Sequence, residues 1–324
     1  MKKFLSLVIA VMLCLTLAPG MAETDAPVRV AGLIGPTGMS LAPMMALNTG
    51  AYEFKLAAAP EELVGDIVAN NVDIAAVPTN LAAVLYNRTK GAVQMLAVNT
   101  LGVLYILEKG DTIQSVADLA GKTITTAGQG AVPEYALNYI LQANGIQDVE
   151  LVFKSEHNEV STLAASGMAD LIMLPEPMVT ALLMKDDSFR VAIDMTQAFA
   201  DAAEKDGKAG TVLSMGALVV QRAFAQQHPD KVQAFLEEYG LSVAFVNEEP
   251  ARAALDIVSA GIMPNEKVAE KAIPLCNIVC VTGDDMQGSI APFLEILFQA
   301  DPKSIGGALP PADFYYLAAP SAGE

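Results

Sequence analysis

The chain has 324 residues, 53% of them hydrophobic and 17% charged, which allows a large core in about two domains and excludes a disordered chain. Its 19 Lys and Arg stand against 37 Asp and Glu, a formal net charge of −18 whose field repels nucleic acid and anionic lipid surfaces. The only histidines are His157 and His228 and the only cysteines Cys14, Cys276 and Cys280, so no Cys/His cluster has metal-site spacing and no cofactor is expected.

At the N-terminus, Lys2 and Lys3 precede an apolar run from Phe4 to Leu17 that is short for a membrane span and reads as a signal peptide. Gly20-Met21-Ala22 supplies the small residues a signal peptidase reads, so residues 1–22 are expected to leave and the mature chain to start at Glu23. The mature charge is then 17 − 37 = −20, and the protein is expected to be exported, to a periplasm or to the extracellular face of the cytoplasmic membrane. The alternatives are an uncleaved anchor or lipidation at Cys14, against which Leu13 stands where lipoprotein signals carry a small residue.

From Val28, VRVAGLIGPTG reads as a buried strand entering a Gly/Pro turn, followed by a helix over Leu41 to Leu47 and a strand over Tyr52 to Ala57. From Lys122, KTITTAGQG repeats that pattern, with a helix over Val132 to Ala143, Pro133 in its first turn, and a strand over Val149 to Phe153. Asn48-Thr49-Gly50 and Asn144-Gly145 end the two helices as left-handed caps do. The segments Gly65 to Asn80 and Ser161 to Pro177 then match as helix plus strand, pairing Asp73 with Asp170 and Pro78 with Pro175 at an offset of 97. Two copies of β-turn-α-β-α-β predict two parallel-stranded lobes. Gly102 to Leu107 and Val212 to Val220 are expected to be strands crossing between them. Helices are expected over Phe224 to Tyr239, Pro250 to Ala260, Lys267 to Leu275 and Met286 to Ala300; Cys276 and Cys280, four apart, stand at the spacing of a shared helical face, which rarely suits a disulfide.

The segments GPTGM (Gly35 to Met39), DIAAVPTNLAAVLYN (Asp73 to Asn87), LGVLYI (Leu101 to Ile106), LPEP (Leu174 to Pro177), HPDKVQAFLEEY (His228 to Tyr239), IPLCNI (Ile273 to Ile278) and DPKSIGGALPPADFYY (Asp301 to Tyr316) resemble substrate-binding components of bacterial ABC importers. The group is the one related to nitrate, sulfonate, taurine and thiamine-precursor binding proteins. The resemblance implies an α/β type II periplasmic-binding fold with a small molecule held between two lobes joined by two hinge strands. Lobe one would comprise residues 23–105 and 216–324, and lobe two residues 106–215. The implied partner is an importer permease, and the implied receptor a monomer.

In open parallel α/β sheets ligands gather beyond the carboxyl ends of the strands, which selects a set of loops. Lobe one offers Thr37, Gly38 and Met39, then Thr79 and Asn80: hydroxyls, an amide and closely approachable backbone. Thr79 and Asn80 equally suit a helix cap. Lobe two offers Gly128, Gln129 and Gly130, whose free N–H groups at a helix start favour an oxyanion or carbonyl oxygen. It also offers His157 and Glu176. Without tryptophan, any aromatic platform must come from residues such as Tyr105 or Tyr135, and Met215 is placed to floor the cleft. These loops carry no Arg or Lys, which favours a neutral or amine-bearing heterocycle over a sulfonate- or nitrate-like anion. An enzyme of the pyrimidine-synthase or menaquinone-pathway kind is the rival class, although no cysteine-rich iron motif, Ser/His/Asp triad or P-loop is present. A ligand sensor without transport is the third.

Overall fold

The computed structural model describes residues 26–317; the signal peptide, its cleavage site after Ala22 and Cys14 lie outside the described residues. The first repeat copy folds as β1 (Val28–Leu33), a single turn α1 (Pro36–Met39), α2 (Ala42–Leu47), β2 (Tyr52–Ala57), α3 (Pro60–Val68), β3 (Ile74–Pro78) and α4 (Thr79–Thr89). β4 (Val93–Leu101) and β5 (Leu104–Lys109) follow. The second copy folds as β6 (Thr123–Ala127), α5 (Val132–Ala143), β7 (Glu150–Lys154), α6 (His157–Ala165), β8 (Leu171–Pro175) and α7 (Met178–Leu183), then β9 (Phe189–Asp194) and α8 (Met195–Lys205). β10 (Ser214–Gln221) returns to the first sheet. It is followed by α9 (Arg222–Gln227), α10 (Pro229–Glu248), α11 (Pro250–Ser259), α12 (Glu266–Ala272), β11 (Ile278–Val281) and α13 (Gly283–Ala300).

The strands form one sheet in the order β11-β4-β10-β3-β1-β2 and another in the order β7-β6-β8-β5-β9. Within each repeat copy the pairs are parallel, β1 with β2 and β3, β6 with β7 and β8. The next strand in each sheet is antiparallel: β10 lies between β3 and β4, and β5 between β8 and β9. That strand arrives from the other lobe, so the two-fold pattern extends beyond the repeat. The lobes are therefore mixed sheets, where the sequence predicted parallel ones.

Two expectations shift for the same reason. β5 and β10 do not straddle the lobes, because each bonds along both edges inside one sheet; the crossings are the short links 102–103 and 211–213. The expected divisions at 105/106 and 215/216 fall inside β5 and β10, and sheet membership moves them to those links. Cys276 and Cys280 share no helical face. Helix α12 passes through a single tight turn, Ile273–Leu275, after which Asn277 takes a left-handed φ of 46° and the β-branched run at Ile278 enters β11. Cys276 is buried, Cys280 half-buried on that strand, and both are free.

Helix α5 shows how the sequence sets local structure. Pro133 fixes the first turn, and Val132, Ala136, Leu137, Ile140 and Leu141 recur at helical spacing to form its buried face. Gly145, at φ 69°, ends it, with Gly145 N donating to the Gln142 carbonyl and Ile146 N to that of Leu141. Helix α13 buries Phe293, Leu294, Ile296 and Leu297 in a core cluster that also contains Leu137, Met195, Phe199 and Leu213. Phe293 meets Phe199 of α8 edge-on, with ring centroids 5.8 Å apart. The lobes thus share apolar packing through α13 in addition to the two chain crossings. Among the described residues no helix is long and apolar enough to cross a membrane, and no group of His, Cys, Asp or Glu is arranged to hold a metal ion.

Candidate functional site

The carboxyl ends of β1, β3, β6, β7 and β8, with the adjoining starts of β5 and β10 and the ends of β4 and β9, converge on the seam between the sheets. On the lobe-one side, Thr37 is half-buried, and its carbonyl accepts from Asn99 Nδ2 at 2.9 Å. Thr79 is buried, its Oγ1 lying 2.7 Å from Ser214 Oγ at the start of β10. Gly216, two residues further, backs onto the Thr37 methyl, so β10 brings the two threonine loops together. Asn99, Thr100 and Ser214 are wholly buried and uncharged, and they line the floor where β4 and β10 meet. Beneath that floor, Ser40 Oγ lies 2.5 Å from Tyr239 Oη, and Ser242 Oγ donates to the Ser40 carbonyl at 2.6 Å. This chain fixes α1 and the turn after it onto α10.

Asn99, Thr100 and Ser214 escaped the sequence reading. Their signal was available: the polar pair Asn99-Thr100 near the end of an apolar strand, and Ser214 opening the apolar run of β10. Replacing Asn99 with alanine is expected to leave the partly buried Thr37 carbonyl unpaired and to cost about 1 kcal/mol in urea unfolding. An unchanged midpoint would mean that the loop holds its shape without this bond.

Three lobe-one candidates have other roles. Met39 is fully buried in the core cluster between the sheet and α10. Gly38 is buried because a Cβ there would lie 2.1 Å from the Leu33 carbonyl oxygen; its close backbone approach is to its own chain. Asn80 donates from Nδ2 to the Ser304 carbonyl at 3.1 Å and ties the C-terminal turn Pro302–Ile305 to the start of α4.

On the lobe-two side, Gly128 and Gly130 hold φ of 87° and 70°, which makes the tight turn into α5. The sequence suggested free donors here, but two of them are taken: Gly130 N donates to Glu134 Oε2 at 2.6 Å and Ala131 N to the Gly128 carbonyl. Gln129 is exposed at its tip. Tyr135 Oη bonds to the Gly130 carbonyl at 3.0 Å and to Asp301 Oδ2 at 3.3 Å. Asp301 caps the same turn that Asn80 holds, so Tyr135 and Asn80 tie the two opposing loops together across the seam. Tyr135 also lines a groove of about 500 Å³ between α5 and the end of α13.

Tyr105 is not placed as a stacking platform. It is buried, and its hydroxyl donates to the Leu275 carbonyl at 2.8 Å, a bond from lobe two to lobe one. Met215 is half-buried and packs against the main core cluster at the start of β10. His157 opens α6, where its Nδ1 is buried without a hydrogen-bond partner and burial lowers its pKa. Glu176 is 2% exposed, and its carboxylate accepts from Thr180 Oγ1 at 2.9 Å and Thr180 N at 3.2 Å. Burial pushes that carboxyl up to about 7 despite the two bonds. It therefore stands at the seam as a helix-capping group of near-neutral pKa.

The fold is shared with solved structures of low identity. An ABC transporter structure from Parabacteroides distasonis is 22% identical, covers 90% of this chain and 99% of that one, and superposes with a TM-score of 0.77. The periplasmic aliphatic sulphonate binding protein of Escherichia coli is 14% identical over 93% and 95% of the two chains, with a TM-score of 0.68. The ligand binding component of an ABC-type import system from Staphylococcus aureus, solved with zinc bound, is 15% identical over 90% and 97%, with a TM-score of 0.63. A search of curated proteins returned no match. Residues 90–253, which run from the end of α4 through lobe two into α11, match the model described as NMT1/THI5 like, and the chain belongs to that family.

Proposed function

We propose that the protein is an extracytoplasmic solute-binding protein, a monomer that captures a small organic molecule between its lobes and delivers it to the permease of an ABC importer. The observation that carries this reading is the pair of facing loop sets at the seam, backed on lobe one by the uncharged buried floor of Thr79, Asn99, Thr100 and Ser214. Three structural neighbours whose names describe an ABC transporter, a sulphonate binding protein and an import component support it.

The ligand class follows from what the loops can offer. They contain hydroxyls, amides, the unpartnered Nδ1 of His157 and the Glu176 carboxyl, with no Arg or Lys. An acceptor-rich site of this kind suits a neutral or amine-bearing heterocycle better than a sulfonate. Binding is favoured over thiol chemistry because the two cysteines among the described residues are poor nucleophiles: burial raises Cys276 strongly and pushes Cys280 up to about 11.

Native mass spectrometry of protein purified without denaturation is expected to reveal a bound small molecule. Returned to the stripped protein at 100 times its dissociation constant, that molecule should add about 2.7 kcal/mol of stability and reduce the radius seen by small-angle scattering. A bound molecule that survives removal of the Thr37 and Ser214 hydroxyls with undiminished affinity would place binding outside the seam.

A further inference from the structure

The loop after β1 crosses the carboxyl ends of the lobe-one sheet. At one end Ile34 N donates to the Ala57 carbonyl of β2 at 2.9 Å, and at the other the Thr37 carbonyl takes the Asn99 Nδ2 bond from β4. The backbone is fixed at both ends, while the Ile34 side chain stays 47% exposed. A lone exposed isoleucine on an outer face needs no explanation. Among the described residues, however, the other large apolar side chains left exposed lie on helices, directly after them or in the C-terminal segment, whereas Ile34 stands on a seam loop. The repeat gives this position a counterpart. Gly35 and Gly130 are 95 residues apart, as are Gly50 and Gly145, which pairs Ile34 with Gln129. Gly35 and Gly130 both hold a positive φ, 113° and 70°, and a Cβ on either would meet nothing within 4 Å. Gln129 is exposed like Ile34. The two loops therefore present an aliphatic side chain from lobe one and an amide from lobe two, each beside open space. The tyrosines that a flat solute could have used are spent elsewhere, Tyr105 on the Leu275 carbonyl and Tyr135 on Gly130 and Asp301.

We infer that Ile34 is a specificity-determining residue of the cleft: it covers an apolar face of the solute, so the receptor prefers flat solutes with such a face over compact polar ones carrying the same N–H donors. The inference rests on the reading of the seam as the ligand cleft. An aliphatic side chain that is half-exposed before binding loses the rest of its water contact when a ring settles on it, and a solute without a ring gains nothing there. Gln129, at the equivalent tip of lobe two, can donate or accept at the ring edge.

The test compares benzamidine with acetamidine, which share an N–H donor head and differ in the ring, by calorimetry on the mature chain freed of any co-purified solute. Wild type is expected to bind benzamidine at least about tenfold more tightly than acetamidine. Ile34→Ser should cut that preference to about threefold or less by weakening benzamidine alone. It should also keep the unfolding midpoint of the ligand-free protein, because the side chain is already half in water. Ile34→Trp retains an apolar face and supplies the only tryptophan of the chain, so benzamidine should shift its emission; it also guards against failure of the serine variant to fold. An Ile34→Ser variant that keeps the wild-type preference, or that loses both probes equally, would overturn the inference and leave the solute-binding reading intact. No saturable binding of either probe by wild type, together with an unmoved tryptophan emission, would overturn it through the reading of the seam as a cleft for such solutes.

Discussion

Replacing Glu176 with glutamine is expected to remove a loss of stability between about pH 4.5 and 7 that this buried carboxyl contributes, against the opposite contribution of His157, whose lowered pKa favours the folded state as pH rises. Glu176 is 2% exposed, and burial is the largest influence on it, raising the pKa to about 7, while the two Thr180 bonds pull the other way. A raised folded-state value means that the folded protein holds the proton more tightly than the unfolded chain. The resulting stability is complete below the ordinary glutamate range and is lost as pH rises through about 7. The difference of some two to three pH units corresponds to about 3 kcal/mol. Urea unfolding at a series of pH values should show wild type losing stability of that order relative to Glu176→Gln, which preserves an acceptor for Thr180. Parallel pH profiles for the two proteins would show that Glu176 ionises normally. An amine-bearing ligand docked against this carboxyl would draw its pKa down, so binding near neutrality should release protons into the buffer.

The repeat was legible because it is written in local chemistry. Strand, Gly/Pro turn and capped helix recur at matched offsets, and α5 begins and ends where Pro133 and Asn144-Gly145 place it. The antiparallel strands were harder to read. β9 and β4 pair with strands far away in sequence, β9 with β5 and β4 with β10 and β11, and no periodicity within a segment reports which partner receives it. Burial at the seam was also hidden. Thr37 and Thr79 were found from loop position, but the polar floor of Asn99, Thr100 and Ser214 arises only when β10 pairs with β3 and β4. The Gly128 turn shows the same limit from the other side: free N–H groups were a fair expectation from G-Q-G before a helix, but Glu134 takes the one at Gly130 and the Gly128 carbonyl the one at Ala131. Gly38, Met39 and Tyr105 had the right addresses but serve the core or its crossings.

Gly102→Ala is expected to be strongly destabilising, because it lands where both crossings meet. Gly102 links the end of β4 to the start of β5, and Leu213 precedes β10 on the return. The Gly102 carbonyl accepts from Asn277 Nδ2 at 2.6 Å on the lobe-one side and from Thr196 Oγ1 at 3.0 Å on the lobe-two side. A Cβ at this position would lie 2.2 Å from Thr196 Oγ1, 3.1 Å from Thr196 Cβ and 3.0 Å from Leu213 Cδ2. The methyl must push Thr196 off the carbonyl or force Leu213 out of the core it shares with α13. Overpacking of this kind costs about 1–3 kcal/mol, and loss of one donor to a shielded carbonyl adds about 1 kcal/mol. The unfolding midpoint should fall accordingly, and ligand affinity should weaken with it, since the lobes are set against each other at this link. Thr196→Ala removes the hydroxyl that collides and also one bond to the carbonyl. Alone it should be mildly destabilising, but combined with Gly102→Ala it should restore part of the loss, giving a coupling of about 1 kcal/mol or more. Strictly additive effects would mean that the added methyl escapes Thr196 by shifting the 102–103 link. The crossing would then be compliant enough to let the lobes pivot without this carbonyl clasp.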